Sequence, residues 1–515
     1  MTQDTSTPGS FQNTGGVLLV LSALFFFFAI VRFGWVADDG FIVMRSIDHV
    51  LQGKGLVLNV GQRVQTFTSP AWALFLIPVH FIVSEPYLSL VGAGLFCSLL
   101  LTLGITKYFK KTPWRGVLVF LTLGASSSFL TYGTSGLENS LAYVLAAGFC
   151  LELVHKKGVP TRHAALLAGA LVLTRMDYGV LLFPSLLLLL IRHPKKALQV
   201  AWPALLLLGS WFLFSMIYYG SPLPNTAYAK LNTSIPFDIK FGRGLGYLVD
   251  ALYRDPAMVF TLGAAALGLF WSKISIVSHG LLAGVLAYLL YVCWIGGDFM
   301  TGRFLTVPLL VAILVLVQAE GIECKTWAIL CGVAAFPALQ TWNMRLADSN
   351  RTDCLFSKSG IADERACYMQ HTGLAQNIGI KKWRTHGYLR DFREALKRGD
   401  EKNGVIVFPL VGMVGFADEK DHHIVEDMAL SEPLLSRLKV KVGNARPGHY
   451  RRPLPAGYVD SLRSGDNTIV DPCVRRLYSH IKLVTTGPLF APGRASAIWA
   501  LNTSHRSCPA PSIAR

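Results

Sequence analysis

Two adjacent carboxylates, Asp38 and Asp39, follow the first apolar run of the chain directly, in GWVADDGFIVMRSIDHVLQGKG. Acids this close repel, which raises the pKa of one member and equips it to accept a proton. The bland alternative is a helix cap. Phe41 to Leu51 carries apolar residues at 41, 42, 43, 47, 50 and 51, the pattern of a helix lying on a membrane, and one Asp could open it while the other is left over. More charged residues recur at the ends of later apolar runs: Glu138, Arg175, Asp177, Asp298 and Arg303.

The elements that must position these groups are apolar. A helix needs about 20 apolar residues to cross a bilayer. Eleven candidate spans are 17–33, 87–106, 116–131, 139–155, 163–176, 178–192, 199–219, 257–271, 277–296, 304–320 and 326–342. The first has no Lys or Arg before it and no A-x-A site after it, so it reads as a retained helix and not a cleaved signal. A shorter stretch, 70–83, is placed at the interface. The loops with Lys107, Lys110, Lys111 and Arg115, with Lys156, Lys157 and Arg162, and with Arg192, Lys195 and Lys196 then share one side, which the positive-inside rule makes cytoplasmic. Asp38, Asp39, Glu138, Asp177, Asp298 and the long loop 220–256 fall on the other side. A charge at membrane depth costs at least ~2.5 kcal/mol, so these acids are expected to line one water-accessible cavity on the outer face.

Composition agrees. The chain has 515 residues, of which only 15% are charged. Before Asn343 there are 22 Lys and Arg against 14 Asp and Glu, and from Asn343 onward 26 against 17 in half the length. The chain therefore divides into a membrane part, 1–342, and a water-soluble extracytoplasmic part, 343–515, which excludes a single soluble domain, a coiled coil and a disordered chain. The net charge of +17 does not signal nucleic acid, because the basic residues form no stripe and no nucleic-acid motif accompanies them. Nine cysteines include no CxxC pair, so no metal site is expected. Cys97, Cys150, Cys293 and Cys331 sit in apolar segments as inert core residues. Cys354, Cys367, Cys473 and Cys508 lie in the soluble part, where Cys354 and Cys367 are expected to pair in an oxidising compartment. That part reads as a small α/β layer: strands at Val405–Phe408 and His423–Val425, a turn at Gly412-x-x-Gly415 and a helix at Pro433–Leu438. His422 and His423 with Asp418 and Asp421 read as a solvated loop.

The plan of a first helix, a paired acid in the first external loop and juxtamembrane helices resembles that of the GT-C glycosyltransferases. DDGFIVMRSIDHVLQGKGLVLNVGQRVQTFTSPAW resembles the opening of the mycobacterial and corynebacterial terminal arabinofuranosyltransferase family, and is similar to the related pilin arabinofuranosyltransferases. Further islands are TSGLENSL (134–141), LTRMDYG (173–179), GSPLPNTAYAKL (220–231), GGDFMTGRF (296–304), GMVGF (412–416), VEDMALSEPLLSRL (425–438) and RPGHYRRPLP (446–455). One departure is Gln62, where the family's stretch carries Glu.

The resemblance implies a polytopic α-helical membrane enzyme of GT-C type with an extracytoplasmic α/β domain. It would move a D-arabinofuranosyl unit from polyprenyl phosphate to a cell-wall glycan or a pilin, on the outer face of the cytoplasmic membrane. No cofactor is implied, the lipid-linked sugar being the substrate. It assigns Asp38 and Asp39 to the acidic pair, with Asp38 the favoured base. Arg175, Lys230 and Arg303 are implied to hold the phosphate leaving group, which needs cations or oriented N–H groups. Glu138 and Asp298 would bind sugar hydroxyls or pair with those cations. Asp177, Asn225 and His449 complete the implied substrate-binding set. The nearest rival uses another lipid-linked sugar, such as mannose or aminoarabinose. A transporter or flippase is a different class, but no internal repeat supports it.

Overall fold

The computed structural model describes residues 8–231, 233, 235–270, 274–321, 323–347, 357, 360–377, 382–440, 448–503 and 508. Four helices open the chain: α1 (Pro8–Arg32), α2 (Asp38–Leu51), α3 (Pro70–Val83) and α4 (Pro86–Tyr108). The remaining candidate spans are occupied by helices Pro113–Ala125, Asn139–His155, Arg162–Thr174, Tyr178–Arg192, Trp202–Tyr218, Pro256–Gly268, Ile276–Ile295, Thr306–Leu316 and Cys324–Ala347. Proline sets many of the starts, as at Pro70, Pro86, Pro113 and Pro256, where its fixed φ suits the first turn and its missing N–H costs nothing.

Among the described residues, three helices have the length and hydropathy to cross a membrane: Asn13–Arg32, Pro86–Lys111 and Ile276–Ile295. Pro194–Val200 and Trp202–Tyr218 reach that length and hydropathy only together, with a 49° bend between them. Seven other apolar helices run 10–17 residues, shorter than a full crossing. The polytopic helical character is therefore present, while helix length does not by itself deliver eleven crossings. Large apolar side chains such as Phe81, Ile82, Phe183, Leu205 and Phe260 face outward, as hydrocarbon contact requires.

Several local expectations are corrected. Neither Asp38 nor Asp39 caps α2: the cap position is Ala37, which makes no side-chain cap hydrogen bond, and both acids lie in the first turn. There the helix dipole favours negative charge. The long loop 220–256 holds two helices, Asn225–Leu231 and the amphipathic Phe237–Arg254. Gly412–Gly415 is no simple turn, because Met413–Ala417 is helical, and the expected helix at 433–438 is a single 3-10 turn, Leu435–Arg437. Helix Cys324–Ala347 runs past the expected boundary at residue 342.

Beyond it, strands β1 (Val405–Val407) and β2 (His423–Val425) pair in parallel with Val405 opposite His423. Residues 383–424 share a core with α2 and its neighbours. Ile42 of α2 and Leu58 pack with Phe392, Ile406, Val414 and Ile424, and Trp383 and Met413 pack with Phe41, Met44 and Trp72. The 418–422 segment, expected to be solvated, joins this contact. Asp418 holds His422 at 2.7 Å and lies 3.9 Å from Arg45, and Asp421 binds His49 at 3.1 Å and also Lys54. Cys97, Cys150, Cys293 and Cys331 are free and buried as expected. Cys367 is disulfide-bonded, whereas its expected partner Cys354 lies outside the described residues. A second disulfide, Cys473–Cys508, bridges Cα atoms 5.8 Å apart.

Candidate active site

Two cavities meet at Asp39. The first, about 310 Å³, opens among the ends of the apolar helices. Glu138 sits immediately before helix Asn139–His155 and caps nothing. Its Oε1 instead accepts from Arg303 Nη2 at 2.8 Å and Arg175 Nη1 at 3.4 Å. Arg175 ends helix Arg162–Thr174, and Asp177 precedes helix Tyr178–Arg192. The tight turn between them lets Arg175 donate twice to Asp177, at 3.0 and 2.6 Å. Tyr288 donates to the same carboxylate at 2.8 Å. Asp298 follows the paired glycines Gly296 and Gly297, both at positive φ, and lies 3.8 Å from Arg303. The two arginines are thus already neutralised by three acids. Pairing of Glu138 with the cations, one of the two expected alternatives, is what the fold adopts.

Lys230 stands apart. Among the described residues it forms no ion pair, and its ammonium lies 5.9 Å from the centre of the Phe299 ring. Gly448, at φ +74° in the RPGHY island, leaves room for it: a Cβ there would press on the lysine stem.

The second cavity, about 570 Å³, lies between α2 and the C-terminal segment from residue 364 to 451. Its floor is built by the residues that follow both parallel strands: Pro409, Leu410 and Val411 after β1, and Glu426, Met428 and Leu430 after β2. Carboxyl ends of parallel strands are where ligands bind in open α/β sheets. Asp38, Glu364, Tyr368, Tyr388, His449 and Arg451 complete the walls. His449 meets Phe299 edge to face at 4.2 Å.

The acidic pair is split by its surroundings. Asp38 is buried and accepts the Met413 N–H at 2.8 Å. A Cβ at Gly412 would fall onto its carboxylate, which is why glycine stands in that island. Burial above all, and the Asp39 charge, push Asp38 up to about 7, against the lowering effect of the Met413 and Gly412 amides. Asp39 is half-buried and lines both cavities, and among the described residues no hydrogen bond or ion pair engages it.

Of the sequence-derived set, Asp39, Glu138, Arg175, Asp177, Lys230, Asp298 and Arg303 share the first cavity, and Asp38 and His449 line the second. Asn225 lines neither. Its amide donates to Ala429 and Leu430 carbonyls and accepts from Ser436, tying the 220–231 segment to residues 429–436. Glu364, Tyr388 and Glu426 were not singled out by sequence. Only Glu426 lies in a motif island, VEDMALSEPLLSRL.

No protein-family model matches the chain. It is 25% identical to the terminal β-(1→2)-arabinofuranosyltransferase of Mycobacterium tuberculosis, over 82% of this chain and 81% of that protein. It is 28% identical to the enzyme of the same name from Corynebacterium glutamicum, over 60% of this chain and 51% of that protein, about half its length. A crystal structure of ArnT from Cupriavidus metallidurans bound to undecaprenyl phosphate aligns over 82% of this chain and 76% of its own, at TM-score 0.46 and 13% identity, too distant to carry the fold or a ligand. The resemblance read from the sequence islands is borne out, and glycosyltransferase is the class its relatives define.

Proposed function

We propose that the chain is a GT-C membrane glycosyltransferase that moves a D-arabinofuranosyl unit from polyprenyl phosphate to an acceptor on the outer face of the cytoplasmic membrane. The observation that carries this reading is the meeting of two chemically different cavities at one unengaged carboxylate, Asp39. A transferase must bring a phosphate-bearing donor and a hydroxyl-bearing acceptor to the same point, with a base between them.

The first cavity takes the donor. Lys230 supplies the available cation for the phosphate, and its attraction grows as negative charge collects on the leaving group. Arg175 and Arg303, each held by acids, give the wall a fixed shape and contribute field more than direct ligation. Asp298 Oδ2, buried without a hydrogen-bond partner among the described residues, is suited to a hydroxyl of the donor sugar. The second cavity takes the acceptor. Asp39 removes the proton from its attacking hydroxyl as the new glycosidic bond forms and the bond to phosphate breaks. Asp38, tied to Met413, locks the entrance of α2 against the extracytoplasmic part. The base is therefore Asp39 in preference to Asp38.

The deciding experiment supplies purified protein with radiolabelled polyprenyl-phosphoryl arabinose and a panel of arabinan oligosaccharides and pilin peptides. Transfer of label to one acceptor class is the expected result. Equal labelling from a mannose- or aminoarabinose-charged lipid would move the donor assignment, and no transfer from any lipid-linked sugar would refute the enzyme reading.

A further inference from the structure

A third cavity, about 310 Å³, shares no lining residue with the two that meet at Asp39. Its main walls are helix Arg162–Thr174, the second half of helix Tyr178–Arg192, and the pair Pro194–Val200 and Trp202–Tyr218. A Cβ at Gly169 would press on Ala204, so the first and last of these helices touch there and close the floor. Pro203, in the first turn of the last helix, offers no N–H, and the chain bends by 49° between the paired helices. Leu198 and Leu205, one on each side of that bend, both line the cavity. The lining is apolar except for Thr161, whose hydroxyl donates to Glu152 at 3.0 Å. Leu186, Leu190, Leu198 and Leu205 are exposed as well as lining it, so the cavity opens as an apolar groove.

The rim at one end of the groove is basic. Arg162 opens the first of its helices, Arg192 ends the second, and Lys195 and Lys196 lie in the short third; all four are exposed. Each stands within two positions of a groove residue, Thr161, Leu190 or Ala197. The Arg162 guanidinium lies 5.8 Å from the centre of the Trp202 ring, which joins the start of the first helix to the start of the last. Among the described residues none of the four forms an ion pair. From Asn139 to Gly220 the sequence holds two acids, Glu152 and Asp177. Glu152 takes the Thr161 hydroxyl and lies 3.9 Å from His163, while Asp177 is bound to Arg175 at the far end of the same helices. An apolar groove with a cationic rim is complementary to both halves of an anionic phospholipid, the acyl chain and the phosphate.

We propose that this groove holds an acyl chain of an anionic phospholipid, with the headgroup phosphate on Arg162, Arg192, Lys195 and Lys196. The occupant is separate from a polyprenyl phosphate bound at the first cavity. Arg162 and Arg175 stand at opposite ends of one 13-residue helix, about 20 Å apart at 1.5 Å per residue. A phosphate beside Lys230, in the first cavity, leaves the basic rim unmatched. The proposal needs a membrane around these helices and does not rest on the transferase reading.

The test is equilibrium binding of radiolabelled lipid to the full chain in a neutral detergent. The probes are dioleoyl phosphatidylglycerol and dioleoyl phosphatidylcholine, which share their acyl chains and differ in net charge. The native protein is expected to bind the phosphatidylglycerol about tenfold more tightly or better. Lys195→Glu with Lys196→Glu, both at exposed positions, should cost that lipid at least about tenfold and leave phosphatidylcholine within about threefold of native. Ala165→Phe with Ala201→Leu, at half-buried lining positions, should fill the groove and weaken both phospholipids, with polyprenyl phosphate binding unchanged. Should the filled variant fail to fold, the paired Glu variant decides alone. Equal native affinity for the two phospholipids, or a phosphatidylglycerol affinity unmoved by the Glu pair, would overturn the proposal. So would an unmoved affinity in a folded groove-filled variant, which would mean only diffuse attraction to a basic surface. Displacement of phosphatidylglycerol by an equimolar amount of polyprenyl phosphate would also overturn it, by giving the groove to the polyprenyl chain.

Discussion

The two cavities that meet at Asp39 solve opposite electrostatic problems. On the side of the membrane helices, two buried arginines are closed into a lattice with Glu138, Asp177 and Asp298 at 2.6–3.8 Å, and one lysine is left over. On the side of the C-terminal part, two buried acids, Asp38 and Glu426, are pushed up to about 7 and about 8, chiefly by burial. The first wall is fixed before a ligand arrives; Asp39, shared by the two cavities, has no partner among the described residues. Pre-paired cations give shape and field, whereas unpaired groups give contact and discrimination.

That contrast can be broken from the lattice side. Glu138→Ala would remove the acid that Arg175 and Arg303 share, leaving each with one carboxylate, Asp177 and Asp298 respectively. A loss of about 1.5–3 kcal/mol is expected for the charged hydrogen bonds removed, seen as a drop in melting temperature of the purified protein. Glu138→Gln, able to accept one hydrogen bond, should recover part of it. Near-native stability in the Ala variant would mean that the lattice is not what holds the helix ends.

From the acidic side the expected effect is at least as large and depends on pH. Asp38 and Glu426 are raised in the fold from ordinary values of 3.8 and 4.5. Each therefore binds a proton in the folded chain at pH values where the unfolded chain has lost it. Their stabilisation is full below about pH 4 and is lost as pH rises to about 7 for Asp38 and about 8 for Glu426. At 1.36 kcal/mol per pKa unit, each group accounts for a decline of up to about 4–5 kcal/mol. The double variant Asp38→Asn with Glu426→Gln should flatten the melting-temperature profile between pH 4.5 and 8. A profile as steep as native would assign the decline to other groups.

The smallest effect isolates the leftover cation. Lys230→Ala should weaken polyprenyl phosphate binding by about tenfold, roughly 1.4 kcal/mol, and leave glycan affinity unchanged. Arg175→Lys should do less to lipid affinity and more to stability, because it breaks the two-pronged contact with Asp177. The reverse ranking would make Arg175, and not Lys230, the phosphate ligand.

How much of this was legible in the sequence follows the same divide. Asp38, Asp39, Glu138, Arg175, Asp177, Asp298 and Arg303 could be picked out because a charge at the end of an apolar run is costly and needs a purpose. Their mutual pairing could not, since it depends on which helix ends meet. In a stretch that reads as water-soluble an acid is ordinarily solvated, so beyond its motif island nothing local distinguishes Glu426 from Glu419. The docking of 405–440 on α2 makes that distinction, and it is a contact between residues more than 360 positions apart, as for Asn59 and Ile424. The same docking explains Asn225, which was expected at the substrate and instead ties the two parts together. Strands β1 and β2 were legible from their apolar runs. The helix at Met413–Ala417 was hidden by two glycines, one of which is there to make room for Asp38.

The central claim is that Asp39, at the junction of the cavities, is the base, and that its neighbour is not. The single-turnover rate of arabinosyl transfer, with donor and acceptor both saturating, tests it most directly. Asp39→Asn should slow transfer by about 10²–10⁴-fold, the range for loss of general-base catalysis, with both ligands still bound. Asp38→Asn, which can still accept the Met413 N–H, should stay within about tenfold of native. A fast Asp39→Asn, or a slow Asp38→Asn beside it, would contradict the account.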